Sequence, residues 1–270
     1  MAGERKGEVT RREFLEQTAL GGASVLAAEV IQAGQTSAKL RGEMVEYESG
    51  DLKIPAYLSL PKKQPAPAVM VIHEVFGLND HIKTIADRVA QEGYVALAPN
   101  LFVRAPEPPP RDASNVDAIR RAASSLAPDV AARDMQAGLN FLKAKRFVKP
   151  RFGSVGFCMG GGLSYRLAAS GYPELACAVI FYGRTPLELV DKVTCPLLGI
   201  FGELDRSIPP QTVREFEEAL RRAGKKAEIK IYPGAKHGFF NDTRPEVYDA
   251  QAAADAWQRT LRFFREHLGA

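Results

Sequence analysis

The stretch SVGFCMGGGLSYR, Ser154 to Arg166, places one cysteine between an apolar run and a helix-like segment, inside a dense set of glycines. RFGSVGF reads as a strand and MGGGLSYRLAAS as a helix, which leaves Cys158 as the single residue at the corner between them. So sharp a corner strains the backbone of its central residue, and the positions two before and two after it must carry almost no side chain. Gly156 and Gly160 meet that demand, and Gly161 and Gly162 let the following helix lie close against a sheet. The helix start also aims its unpaired N–H groups and positive dipole end at the sulfur, which favours negative charge there. G-x-C-x-G therefore has the spacing of the thiol form of a nucleophile elbow. A buried cysteine in a glycine-rich turn would look the same locally, and residues elsewhere in the chain must decide between the two.

On both sides of this corner, from Gly42 onward, runs rich in Val, Ile and Phe alternate with amphipathic segments of helical length. That is the pattern of a mostly parallel sheet flanked by helices, an α/β fold. Strands are expected at 43–48, 53–60, 67–73, 94–98, 152–157, 176–182, 197–203 and 227–232, and helices at 80–92, 129–145, 159–170, 210–223 and 245–267. Ser49-Gly50-Asp51 is turn-like and joins two adjacent strands, so the sheet should open with an antiparallel hairpin. APEPPPR, 105 to 111, can be neither helix nor inner strand and is expected as a surface loop after a strand end.

The chain has 270 residues, 46% of them hydrophobic, enough to bury one substantial core. Its 36 basic and 32 acidic side chains leave a formal charge of +4, with no block of like charge that could follow a phosphate backbone. Nucleic acid is not an expected partner. Cys158, Cys177 and Cys195 lack the pairing of a disulfide framework or a zinc site, so no metal is expected. Cys177 and Cys195 sit in core-like contexts. The segment TRREFLEQTALGGASVLAA, Thr10 to Ala28, joins a charged start to a mild apolar stretch too short to span a bilayer, so stable membrane insertion is not expected. Its Arg11-Arg12 pair resembles the twin-arginine export signal of bacteria. Residues 1–38 are thus expected to be a signal peptide read by the twin-arginine machinery, and 39–270 the functional domain, exported to the periplasm or cell exterior. An ordinary amphipathic N-terminal helix on a cytoplasmic protein is the alternative.

Two residues far along the chain complete the picture at Cys158. Asp205 follows LLGIFGEL, an apolar strand ending in a polar loop, and His237 lies in YPGAKHGFF, just past the apolar IKIY run. Nucleophile, acid and histidine in that chain order, the last two on loops after late strands, are what an α/β-hydrolase requires. Either residue alone would be ordinary, as a turn-forming aspartate or a surface histidine.

The chain resembles the dienelactone hydrolases, or carboxymethylenebutenolidases, over about residues 40 to 268. The resemblance is carried by His73-Glu74-Val75-Phe76-Gly77, by the segment from Ala86 through GYVALAPNLF to Arg104, by Gly156 to Gly162, by Gly202 to Asp205 and by His237-Gly238-Phe239. It implies an α/β-hydrolase fold and a Cys158, Asp205, His237 triad, with Glu74 contacting the thiol at rest. The N–H groups of Val75 and Met159 would hold the oxyanion. The implied reaction is hydrolysis of a small-molecule lactone or ester through a thioester, with no cofactor. In the best-known members two arginines grip a substrate carboxylate. Arg104 matches the first, whereas the second position is the neutral Asn241, with Arg244 the nearest arginine downstream. That departure implies a relaxed demand for a substrate carboxylate. A broad carboxylesterase or thioesterase is the near alternative; a redox-sensing thiol protein and a non-catalytic exported binding protein are alternatives of another class.

Overall fold

The computed structural model describes residues 40–106, 108–109 and 115–269. The expected signal segment, residues 1–38, lies outside them. From Leu40 on, the chain is a single unit built on an eight-stranded sheet. In chain order the elements are β1 (Glu43–Ser49), β2 (Leu52–Ser59), β3 (Ala66–Ile72), α1 (Asp80–Gln91), β4 (Val95–Pro99), α2 (Val116–Ser125), α3 (Pro128–Lys143), β5 (Val148–Phe157), α4 (Met159–Ala168), β6 (Leu175–Phe181), β7 (Leu197–Gly202), α5 (Pro210–Arg222), β8 (Ala227–Tyr232) and α6 (Ala250–Leu268). Short 3-10 turns occupy Leu101–Arg104 and Leu187–Lys192.

The sheet order is β1-β2-β4-β3-β5-β6-β7-β8. The expected hairpin is present, with Ser49 opposite Leu52 and Gly50 at φ 62°, and β2 continues antiparallel onto β4. Every remaining pair is parallel. This is an α/β-hydrolase fold. Helix α2 was not expected from the sequence. Only Ile119 and Ala122 of its residues are buried, so its apolar stripe is short, and its start signal is the Asn115 side chain accepting the Ala118 N–H at 3.0 Å. The last helix begins at Ala250, five residues later than expected, because Asp249 caps it by accepting from Ala252. Ala105, Pro106, Pro108 and Pro109 are neither helix nor strand.

Each face of the sheet carries its own apolar layer. Along β3, Ala68, Met70 and Ile72 join a core with α3, α4 and α5, while Val69 and Val71 join a second core with α1 and α6. A strand buried on both faces must be apolar at every position, as APAVMVI is. Each fully buried Val, Ile, Leu or Phe contributes roughly 1.5–3 kcal/mol. No helix among the described residues is long and apolar enough to cross a membrane. The chain passes from β3 to β4 on one side and then to β5 on the other side of β3, a reversal at whose carboxyl strand ends α/β sheets place their sites. Cys158 follows the end of β5 directly, and Glu74 lies two residues past the end of β3.

Candidate active site

Cys158 stands at φ 54° and ψ −115° between β5 and α4, as the residue preceding the helix. Its N–H donates to Phe181 O at 3.0 Å and its own carbonyl accepts from Gly162 at 3.2 Å, so neighbouring strand and helix both hold the strained turn. The flanking glycines are required by contact. A Cβ on Gly156 would lie 1.9 Å from Gly160 O, and one on Gly160 would lie 2.3 Å from Ile72 O. Side chains at either position would force α4 away from the sheet and move the thiol.

Asp205 and His237 come from the loops after β7 and β8, which are tied together by Glu203 N–H to Tyr232 O and Leu204 N–H to Ala235 O, both at 2.9 Å. Asp205 is buried. Its Oδ1 accepts from Ser207 N–H at 2.7 Å and Ile208 N–H at 2.9 Å, which leaves Oδ2 to meet His237 Nδ1 at 2.7 Å. The imidazole packs on the Tyr182 ring at 5.1 Å, with Cys158 near enough to favour its protonated form. Burial alone would pull His237 down, but the hydrogen bonds and charges of Asp205 and Cys158 outweigh it and push the imidazole up to about 10. Residues separated by up to 79 positions in the sequence are thus brought together, His237 bonded to Asp205 and Cys158 beside it.

Glu74 is buried at the end of β3, where its Oε2 accepts from Asn241 Nδ2 at 2.6 Å. Asn241 Oδ1 accepts from the Thr243 N–H at 3.1 Å and hydroxyl at 2.6 Å, which fixes the amide with its NH2 toward Glu74. Burial pushes the Glu74 carboxyl up, opposed by His81, the Asn241 hydrogen bond, Arg244 and His237. Among the described residues Glu74 makes no hydrogen bond to the thiol. The Val75 N–H has no partner among the described residues, and Met159 opens α4, where N–H groups lack an intrahelical acceptor. Tyr182, at φ 38° after β6, is fully buried, and its hydroxyl has no protein partner among the described residues.

Arg104 and the neutral Asn241, at the two positions where relatives grip a substrate carboxylate, both hold partners within this chain. Asn241 is committed to Glu74 and Thr243. Arg104 turns to the opposite end of its loop: Nε and Nη2 grip Asp134 Oδ2 and Oδ1 at 3.0 and 3.1 Å, Nη2 also donates to Ser49 O at 3.0 Å, and Nη1 reaches Asp51 Oδ1 at 3.3 Å. A buried carboxylate on α3 and the β1–β2 turn, both remote in sequence, have captured the fork. Among the described residues Arg244 is a cation close to the site. Its Nε and Nη2 bind Glu246 at 2.9 and 2.7 Å, its guanidinium stands 5.6 Å above the Phe76 ring, and Nη1 lies over Gly238, next to His237.

Cys177 and Cys195 are buried, and burial pushes both thiols up, Cys195 to about 12. They are structural thiols held protonated.

Comparison with known proteins places the chain in a family. The model of the dienelactone hydrolase family matches residues 54–268. A protein of Escherichia coli O157:H7 named "Putative carboxymethylenebutenolidase" is 34% identical over 268 residues, covering 92% of this chain and 94% of its own. Among solved structures, one titled as a "Putative Dienelactone Hydrolase" of Klebsiella pneumoniae subsp. pneumoniae MGH 78578 superposes with a TM-score of 0.79 at 31% identity, covering 84% of this chain and 98% of that one. A dienelactone hydrolase-like promiscuous phosphotriesterase from metagenomic libraries gives 0.73 at 26% identity, over 85% and 99% of the two chains. With its fold and this similarity along nearly its whole described length, the chain belongs to the dienelactone hydrolase family of the α/β-hydrolase superfamily and is a carboxylic ester or lactone hydrolase.

Proposed function

We propose that the chain opens a lactone or an activated ester through a thioester on Cys158, with His237 as proton carrier and Asp205 orienting it. The observation that carries the proposal is the line from a strained thiol at a helix start, through a hydrogen-bonded imidazole, to a buried carboxylate 2.7 Å beyond. His237 faces Asp205 with Nδ1, so Nε2 is left to carry the Cys158 proton, and an imidazole held up to about 10 keeps it through the attack. The thiolate bonds to the substrate carbonyl carbon while the carbonyl electron pair moves onto oxygen, within reach of the Val75 and Met159 N–H groups. Collapse breaks the carbon–oxygen bond, and His237 returns its proton to the leaving oxygen. In a lactone this opens the ring and the leaving hydroxyl remains attached to the acyl group. Water then gives a proton to His237 and adds to the thioester carbonyl; the carbon–sulfur bond breaks and the thiolate recovers its proton.

A thiolate leaves a tetrahedral adduct more readily than an amide nitrogen does, so esters with good leaving groups, enol lactones among them, suit the site better than amides. Among the described residues a substrate carboxylate would find Arg244 in place of a pair of forks, which supports a relaxed demand for acidic substrates. A redox-sensing role is disfavoured by the burial of both other thiols, neither of which can resolve an oxidised Cys158.

The test is a panel of lactones, aryl esters and acyl thioesters against wild type, Cys158→Ala, Cys177→Ala and Cys195→Ala. Cys158→Ala is expected to lower kcat/KM on the order of 1,000-fold or more, and acid-quenched wild type should carry the acyl mass on the Cys158 peptide. Turnover that survives Cys158→Ala, or that vanishes in folded Cys177→Ala or Cys195→Ala, overturns the assignment.

A further inference from the structure

We propose that His73 is a positioning residue: as a neutral imidazole with its proton on Nδ1, it holds the Glu74–Val75 peptide so that the Val75 N–H is presented to the developing oxyanion. This rests on the reading above that Val75 donates to that oxyanion.

The tautomer follows from the partners. His73 is fully buried, and its Nε2 lies 3.1 Å from the Leu101 N–H, a group that can only donate. Nε2 is therefore the acceptor and Nδ1 carries the hydrogen, which it donates to Glu74 O at 2.7 Å. Burial also pulls the imidazole down to about 4, so it is uncharged at working pH. Phe102 stacks on the ring at 5.1 Å and removes its remaining freedom.

The carbonyl that His73 holds belongs to the same peptide unit as the Val75 N–H. That peptide is trans, so its C=O and N–H point in opposite directions. Glu74 O is gripped twice, by His73 Nδ1 and by the Gly77 N–H at 3.2 Å, and the Val75 N–H is left projecting from the other side with no partner among the described residues. The end of β3 also lies against the first turn of α4, where a Cβ on Gly160 would meet Ile72 O at 2.3 Å and His73 O at 2.6 Å. The Val75 N–H and the N–H groups that open α4 thus belong to segments in contact. A hydrogen bond to the carbonyl further polarises the amide and makes its N–H a better donor. A histidine that merely pinned β3 to the turn after β4 would need only the Leu101 contact.

The experiment compares His73→Phe, His73→Asn and His73→Leu in the full chain. Phenylalanine keeps the stacked ring but no donor. Asparagine and leucine have similar size and both lose the Leu101 contact, but only asparagine keeps an N–H near the position of Nδ1. Three readouts separate positioning from general damage. These are kcat and KM for an aryl ester, the affinity of a trifluoromethyl ketone that forms an oxyanion on Cys158, and the rate of Cys158 alkylation by iodoacetamide, a substitution that develops no oxyanion. We expect His73→Phe and His73→Leu to lose about 10- to 100-fold in kcat, somewhat less than deleting an oxyanion donor, with KM nearly unchanged. Ketone affinity should fall by a similar factor, alkylation should stay within about threefold, and His73→Asn should recover most of the loss. If His73→Phe does not fold, the asparagine–leucine pair carries the same comparison. The inference is overturned if alkylation and hydrolysis fall in parallel, if asparagine and leucine behave alike, or if kcat is unaltered. Alkylation of wild-type Cys158 tests the underlying reading separately: turnover that survives it defeats the cysteine mechanism and this inference with it, whereas abolished turnover with an unaltered His73→Phe kcat defeats the inference alone.

Discussion

Replacing Arg104 by alanine should damage the fold and leave substrate choice intact, although its place after a strand end is where substrate-reading residues are found. The Asp134 side chain is 1% exposed and the Arg104 side chain 23%. Deleting one partner of a buried pair costs about 3–5 kcal/mol, because the other charge is left uncompensated. Here the lower end applies. Arg104 is partly hydrated, and the Ser49 hydroxyl continues to donate to Asp134 Oδ1 at 2.6 Å. About 3 kcal/mol at about 2–4 °C per kcal/mol for a domain of this size is a fall of roughly 6–12 °C in Tm. Arg104→Lys keeps the charge but not the two-pronged geometry and should recover only part of that loss. In the double variant Arg104→Ala, Asp134→Ala the two losses should not add, since each removes the same contact. Arg244→Ala is the complementary case. Its pair with Glu246 is 30% and 59% exposed at the side chains and should contribute at most about 1 kcal/mol to stability. The assays are thermal unfolding and kcat/KM at 25 °C for a matched lactone acid and its methyl ester. Arg104→Ala should keep the wild-type ratio of acid to ester, whereas Arg244→Ala should lower it about 10- to 100-fold, the value of one charge-assisted hydrogen bond. An Arg104→Ala protein with wild-type Tm and a selective loss of acid turnover would refute the reasoning.

The pH dependence of kcat/KM should show a falling limb near pH 10, where His237 loses its proton, and Asp205→Asn should move that limb to lower pH because burial then pulls the imidazole down with less opposition. The folded value lies above the ordinary 6.5, so the stability contributed by the His237 partners is complete below about pH 6.5 and lost as pH rises through about 10; urea titrations of wild type and Asp205→Asn across that range should converge. Gly160→Ala brings a Cβ to 2.3 Å from Ile72 O, and such overpacking should cost about 1–3 kcal/mol together with most of the activity, as read by unfolding and turnover. We also propose that residues 1–38 direct export of the folded protein: residues 1–45 fused to a reporter active only after folded export should lose export when Arg11 and Arg12 are both changed to lysine, and equal export would refute the assignment.

The sequence by itself determined the framework of this protein, because that framework rests on local chemistry. Continuous apolar runs mark β3, β4, β6 and β7, since strands buried on both faces have almost no polar positions to blur the signal. Ser49-Gly50-Asp51 marks the hairpin, and the glycines around Cys158 mark a corner where backbone approaches backbone. The chain order of Cys158, Asp205 and His237 is readable because an α/β sheet presents its strand ends on one side. Helix α2 escaped because only Ile119 and Ala122 face a core, leaving a periodicity too short to register. What tertiary structure alone decided is which partner each polar group takes. Arg104 faces Asp134 across 30 positions, Asn241 faces Glu74 across 167, and His73 meets Leu101 across 28. Such pairings depend on hydrogen-bond geometry and burial at distances of about 3 Å, and a residue's type records its capacity to donate or accept without recording where the fold will bring its partner.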